Sequence, residues 1–224
     1  MMIERIICIL IGYFIGAIIQ TGYWIGKISH IDIRDYGSGN AGTTNVMRNL
    51  GKKAGFITYT FDMLKVLISD IIIHFLFGNN QNNEMLLFLY SGLGVVLGHN
   101  FPFYLNFRGG KGVAASSGVI ISLFIFPKHC WLFTLVGMIV FVSIMFLSKY
   151  VSLGSLTALT VWFFQFCLWI AIGWLPLTTS AAIEGCIIVL IIVVLAYIRH
   201  RSNIVRLVHG TERKIGQKKS KMEE

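Results

Sequence analysis

The sequence predicts an all-α membrane protein, a seven-transmembrane-helix bundle. Three observations predict it. Of 224 residues, 55% are hydrophobic and only 13% are charged, whereas a soluble domain averages roughly a quarter charged. Several apolar runs reach about 18–25 residues, long enough to cross a bilayer as helix. Those runs are continuous, whereas the strands of a membrane barrel would alternate over about ten residues.

Spans are expected at about 4–25, 54–77, 85–103, 113–127, 131–148, 154–175 and 181–198. The first follows Arg5, lacks an A-x-A-like cleavage site and runs into Gly12-x-x-x-Gly16. It therefore reads as a retained helix with a packing face, not a signal peptide. The second carries Asp62 and Lys65, three apart, and then Asp70. Charges at that depth are costly unless paired or lining a polar cavity, so an Asp62–Lys65 pair is expected. The third ends at Gly98-His99-Asn100. The fourth is weakly apolar at its start and is expected to be short or re-entrant. The fifth, sixth and seventh are plain apolar runs.

Positive charge orients the bundle. With the N-terminus outside and the C-terminus cytoplasmic, sixteen Lys and Arg residues fall on the inner side and only Arg5 and Lys128 on the outer. That bias follows the positive-inside rule. It also accounts for the net charge of +9 without nucleic acid, for which no aromatic-basic motif is present. The chain reads as one domain, 1–224, with a charged tail at about 217–224 expected to fray. Cys8, Cys130, Cys167 and Cys186 are well separated and form no C-x-x-C, so neither zinc nor a disulfide framework is expected. No metal or organic cofactor motif is visible.

The chemistry lies in the inner segments. Gly37, Gly39 and Gly42 permit unusual backbone angles and close approach of N–H groups to a ligand. Ser38, Asn40, Thr43, Thr44 and Asn45 add donors. Arg48 follows Asn45 by three, on one helical face, placing a guanidinium beside a ring of amides. An ordinary turn with Thr44 or Asn45 as helix cap is the competing reading. The second segment is Arg108-Gly109-Gly110-Lys111-Gly112, a glycine loop with a lysine ahead of a helix start. That is a phosphate cradle in physical terms, without Walker A spacing. The third holds Ser152 and Ser155, which can donate to a ligand or to their own helix. The fourth holds His200 and Asn203, three apart, then Arg206. His30 and Asp35 form an H-x4-D pattern that reads as chance.

Taken together, these stretches resemble the acyl-phosphate-dependent glycerol-3-phosphate acyltransferases, the PlsY type of bacterial membrane enzyme. The matching segments are Asp32 through Arg34, Gly37 through Arg48, Gly51 through Lys53, Asp62 with Lys65, Gly98 through Pro102 and Phe107 through Gly112. Further along come Tyr150 through Ser155, His200 through Ile204, Gly210 through Glu212 and Lys214 through Gly216. The resemblance implies a seven-helix bundle in the bacterial inner membrane, its active site facing the cytoplasm. It implies acyl transfer from acyl phosphate to sn-glycerol 3-phosphate, with no cofactor and no direct use of acyl-CoA or acyl carrier protein. By position it implies that Ser38, Arg48, Lys111, His200 and Asn203 form the catalytic phosphate pocket. Gly39, Asn40, Thr44, Asn45, Arg108, Gly109, Gly110 and Gly112 stand at the substrate, with Ser152 or Ser155. Ala41 and Val66 depart from the pattern, and Val66 puts the packing near Lys65 in question. The bilayer and the two substrates are the expected partners; a monomer suffices. A small membrane transporter for a phosphorylated solute is the alternative, but transport needs access from both faces.

Overall fold

The computed structural model describes residues 2–78, 84–126 and 129–217. Among them are ten α-helices and no strand: α1 (Met2–Ile18), α2 (Thr21–Ile28), α3 (Thr43–Leu50), α4 (Lys52–Phe77), α5 (Glu84–Asn100), α6 (Val113–Ser122), α7 (Trp131–Ser148), α8 (Val151–Ala171), α9 (Thr179–Arg199) and α10 (Arg201–Val208). Short 3-10 turns lie at Ile33–Asp35, Phe103–Leu105 and Leu123–Ile125. Of the charged tail expected from Gln217, and of the outer turns expected at Gly78 through Asn83 and Phe126 through Lys128, only Gln217, Gly78 and Phe126 are among the described residues.

Five stretches are long and apolar enough to cross a membrane: Met2–Ile28, Glu84–Leu105, Trp131–Ser148, Val151–Ala171 and Thr179–Arg199. α4 has the length, 26 residues or about 39 Å, but it buries Asp62, Lys65 and Asp70. α6 with its 3-10 extension reaches only about 21 Å, short of the roughly 30 Å hydrocarbon thickness, as its sequence suggested. α6 packs between α4 and α5, where Gly118 abuts Val66 and the Met63 carbonyl. Val66 thus packs directly against a glycine surface.

α5 is the axle. It is buried along nearly all its length and touches α1, α4, α6 and α9. Its contact with α1 is built on four glycines. A β-carbon at Gly12 would run into the Ser91 carbonyl, and one at Gly16 into the Val95 backbone. On the facing helix, β-carbons at Gly94 and Gly98 would meet the carbonyls of Ile9 and Tyr13. Two small-xxx-small faces therefore interlock backbone to backbone. α7 is at the other extreme: it buries only Phe133 among its residues.

Two expectations need correction. The first span is not one helix. It breaks at Ile19-Gln20, where Gln20 adopts φ −103° and ψ 72°. The break survives because side chains take up the freed carbonyls. Gln20 Nε2 donates to Gly16 at 2.9 Å, and Lys65 Nζ to Ile19 at 2.9 Å. The cysteines are not all apart either: the thiols of Cys167 and Cys186 lie 3.4 Å from each other between α8 and α9.

Filling the α1–α5 contact tests this packing. Gly94→Leu should lower the unfolding temperature in detergent, since overpacking a close-packed contact costs roughly 1–3 kcal/mol. Gly137→Leu, on α7 where a β-carbon meets nothing within 4 Å, should leave it unchanged.

Candidate functional site

Four irregular segments converge at one end of the bundle. The first is the 33–42 loop. Gly37 and Gly39 have left-handed backbone, φ +62° and +69°, which admits few other residues. Asn45 fills the space beside Gly37. Its Nδ2 donates to the carbonyls of Ile33, Tyr36 and Asn40 at 3.0, 2.9 and 2.9 Å, and its Oδ1 accepts from the Ser38 N–H at 3.0 Å. The buried amide of Asn45 therefore holds the loop in shape. The helix cap itself is Gly42, so neither Thr44 nor Asn45 caps α3. Arg34 ties this loop to the next by donating to the Leu105 carbonyl at 2.9 Å.

The second segment runs from Asn100 to Val113. The Gly110 N–H donates to the His99 carbonyl at 3.1 Å, and the Gly109 N–H to the Asn100 carbonyl at 3.2 Å. Arg199 donates to the carbonyls of Gly109 and Gly110 at 3.0–3.1 Å. Gly112, at φ +83°, turns the chain into α6. Lys111 reaches across to the side-chain oxygen of Asn203.

The third and fourth segments meet at Glu212. Its Oε1 accepts from Ser152 Oγ at 2.9 Å and Asn203 Nδ2 at 2.7 Å, and its Oε2 from Arg206 Nε at 2.8 Å. Burial would raise the pKa of Glu212, but the bonds from Asn203, Arg206 and Ser152 outweigh it and the net shift is downward. Ser155 Oγ bonds its own helix at the Val151 carbonyl, 2.9 Å away.

These segments enclose a cavity of about 170 Å³. Its wall includes Ser38, Asn40, Thr44, Asn45, Arg48, Lys111, Gly112, Ser152, Ser155, His200 and Asn203 from the sequence reading. Four other candidates stand elsewhere. Gly39 and Arg108 are exposed and outside the wall, and Gly109 and Gly110 are buried behind it. His30 and Asp35 take no part in the wall. Thr43, Tyr59 and Phe141 also line it, as do Asp62, His99 and Glu212. Glu212, like Asp62 and His99, is a residue that sequence reasoning placed in a motif but not in the site. The available signal was its isolation, as the sole acid between positions 199 and 217 among five basic residues.

The electrostatics favour an anion. Among the described residues Arg48 donates no hydrogen bond, and Lys111 donates only to the neutral amide of Asn203. Burial pushes the Lys111 ammonium down to about 8, against the opposing pull of Glu212. Burial, and then the nearby Lys111 charge, push His200 down to about 4. Its Nδ1 lies 2.7 Å from the Ala196 carbonyl, so Nδ1 carries the proton and the neutral ring offers Nε2 as an acceptor. Among the described residues no cluster of His, Cys, Asp and Glu is arranged to hold a metal ion.

Comparison with known proteins gives the site a context. The model of the glycerol-3-phosphate acyltransferase family matches residues 6–210. The glycerol-3-phosphate acyltransferase of Thermoanaerobacter sp. (strain X514) is 42% identical over 209 residues, covering 93% of this chain and 94% of that protein. The one from Clostridioides difficile (strain 630) is 39% identical over 217 residues, covering 96% and 97%. Two crystal structures of PlsY (YgiH), an integral membrane glycerol 3-phosphate acyltransferase, share the fold. The glycerol 3-phosphate form has a TM-score of 0.74 at 33% identity, covering 96% of this chain and 95% of that one. The lysophosphatidic acid form has a TM-score of 0.75 at 32% identity, covering 95% of each.

The depressed Lys111 pKa makes anion binding pH-dependent. The lysine is cationic below about 8 and loses its charge as pH rises through that value. Affinity for a phosphate monoester should therefore fall across the alkaline side, measured as the binding constant between pH 7 and pH 9.5. Lys111→Arg, whose guanidinium stays charged, should flatten that limb even if it binds more weakly overall.

Proposed function

Because this chain belongs to the glycerol-3-phosphate acyltransferase family, we propose that it transfers a fatty acyl group from acyl phosphate to sn-glycerol 3-phosphate. The products are 1-acyl-sn-glycerol 3-phosphate (lysophosphatidic acid) and inorganic phosphate. It is an acyltransferase of phospholipid synthesis, and the transporter reading gives way to that family. One observation carries the choice of substrates: two cations, Arg48 and Lys111, face one cavity, and no carboxylate among the described residues is hydrogen-bonded to either. The acceptor and product have support from relatives whose structures carry glycerol 3-phosphate and lysophosphatidic acid.

An acyl phosphate is a mixed anhydride, so its carbonyl is already activated. The enzyme's task is to bring two anions together and hold a hydroxyl against the carbonyl carbon. Good placement of reactants contributes roughly 7–11 kcal/mol. Arg48 and Lys111 offset the repulsion between the phosphates and stabilise the phosphate that leaves. Ser38, Asn203 and the alcohol face of Ser152 or Ser155 orient the polar ends. The hydroxyl oxygen bonds to the carbonyl carbon, the bond from that carbon to the phosphate oxygen breaks, and the hydroxyl proton passes to a phosphate oxygen. A His200 pKa of about 4 makes the ring a weak proton acceptor at neutral pH. Its bare Nε2 serves better as a hydrogen-bond acceptor that orients the attacking hydroxyl. The acyl tail lies between apolar helices, entering from lipid.

For the fold we infer seven crossings, the five apolar stretches plus α4 and α6, within a single domain that acts as a monomer. The N-terminus lies outside, the C-terminus lies inside, and the cavity faces the cytoplasm of a bacterial inner membrane. The concentration of Lys and Arg at the cavity end supports this orientation, and α4 is compatible with a crossing because its buried ions face protein.

Purified protein in detergent should form lysophosphatidic acid from palmitoyl phosphate and glycerol 3-phosphate, and none from palmitoyl-CoA. Arg48→Ala and Lys111→Ala should each lower turnover by a hundredfold or more without shifting the unfolding temperature, since each removes a charge-assisted contact worth about 3 kcal/mol at the reacting phosphates. Wild-type turnover in a folded Lys111→Ala variant would reject the assignment.

A further inference from the structure

The cavity wall includes two groups that the mechanism above does not use, Asp62 and His99. Both are joined to Lys65, a fully buried lysine on α4. Lys65 Nζ lies 3.0 Å from Asp62 Oδ1, 2.9 Å from the Ile19 carbonyl and 2.7 Å from His99 Nδ1. An ammonium has three N–H donors and no acceptor, so these three contacts saturate it. They also settle the imidazole: Nδ1 must accept from Lys65, which leaves the ring proton on Nε2. That edge of the ring lies against Gly110, where a β-carbon would strike Nε2. The backbone on either side of Gly110 is fastened as well, its N–H to the His99 carbonyl and its own carbonyl to Arg199. The next residue is Lys111.

We propose that Lys65, through His99, is a positioning residue for Lys111: the Asp62–Lys65–His99 chain fixes the imidazole whose Nε2 edge the Gly110 backbone rests against, and so sets where the Lys111 ammonium enters the cavity. The brace crosses from the α1–α2 break to the phosphate loop, and no member of it needs to touch substrate. It explains why a lysine is buried where a hydrophobic side chain would pack more cheaply. Its catalytic consequence rests on the acyltransferase reading; its mechanical content does not.

The test separates those two. His99→Leu removes the acceptor for Lys65, whereas His99→Asn keeps an acceptor oxygen close to the Nδ1 position. Asp62→Asn with Lys65→Met removes the whole buried pair without stranding one charge. Hydrogen exchange of the 103–112 amides, followed in the substrate-free protein, should speed up about tenfold or more in His99→Leu and in the double variant, and return toward wild type in His99→Asn. In the acyl transfer assay, KM for glycerol 3-phosphate should rise about tenfold and kcat should fall with it, since Lys111 also stabilises the leaving phosphate. In a Lys111→Ala background the same substitutions should add no further rise. Wild-type exchange across 103–112 in a folded His99→Leu protein overturns the proposal, and so does an equal KM rise with and without Lys111. A wild-type protein that forms no lysophosphatidic acid overturns the functional reading instead and leaves the exchange result to decide the brace. If His99→Leu does not fold, the double variant and His99→Asn carry the same comparison.

Discussion

Every irregular stretch in this bundle is constrained by one requirement: a carbonyl freed from helix among packed helices needs a donor. Water is scarce there, and an unsatisfied backbone group costs several kcal/mol. The donors are side chains. Gln20 and Lys65 serve the end of α1, Asn45 serves three carbonyls of the first loop, Arg34 serves Leu105, and Arg199 serves Gly109 and Gly110. The chain can leave the helix at these points because each of these freed carbonyls is met in this way.

The same accounting separates structural cations from ligand-binding ones. Lys65, Arg34, Arg199 and Arg206 are all engaged with protein oxygens, either carbonyls or carboxylates. Among the described residues Arg48 donates to none, and Lys111 donates only to the neutral amide oxygen of Asn203. Sequence alone cannot draw that line, since a basic residue reads the same whether or not its head group is already engaged. Geometry draws it by asking what each head group already touches. The two left over face the same cavity.

Much of the architecture was legible in the sequence because it follows from hydropathy and charge. Trp131–Ser148 has the bounds its apolar run announced, and α6 is short because its first residues are small and polar. The break at Gln20 was hidden, since one amide inside an apolar run looks like a tolerated polar residue until the neighbour that caps the freed carbonyl is known. Lys65 is that neighbour, 46 positions away. The glycines at 109 and 110 were legible as a loop but not in their role. They read as a cradle whose N–H groups face a ligand, yet those N–H groups point back to α5. Glycine is needed there because His99 lies where a side chain would be. Glu212 was illegible for a different reason. A carboxylate runs against the expectation of a cationic site, so its value lies in contacts formed across 60 residues of sequence.

That carboxylate poses a physical question, because it lines the same cavity as the two cations proposed to bind phosphate. Its charge is not free to repel them. Oε2 is held by Arg206, and Oε1 is shared by Ser152 and Asn203. Fixing Asn203 Nδ2 on Glu212 turns its Oδ1 toward Lys111, so the acid orients the amide that in turn holds the lysine. Glu212 also raises the proton affinity of Lys111 against the downward push of burial. Without it, an ammonium already near 8 would sit lower still and be less fully charged at neutral pH. One engaged carboxylate thus keeps the site cationic, and the small repulsion it adds is offset by a lysine that stays protonated until an anion arrives.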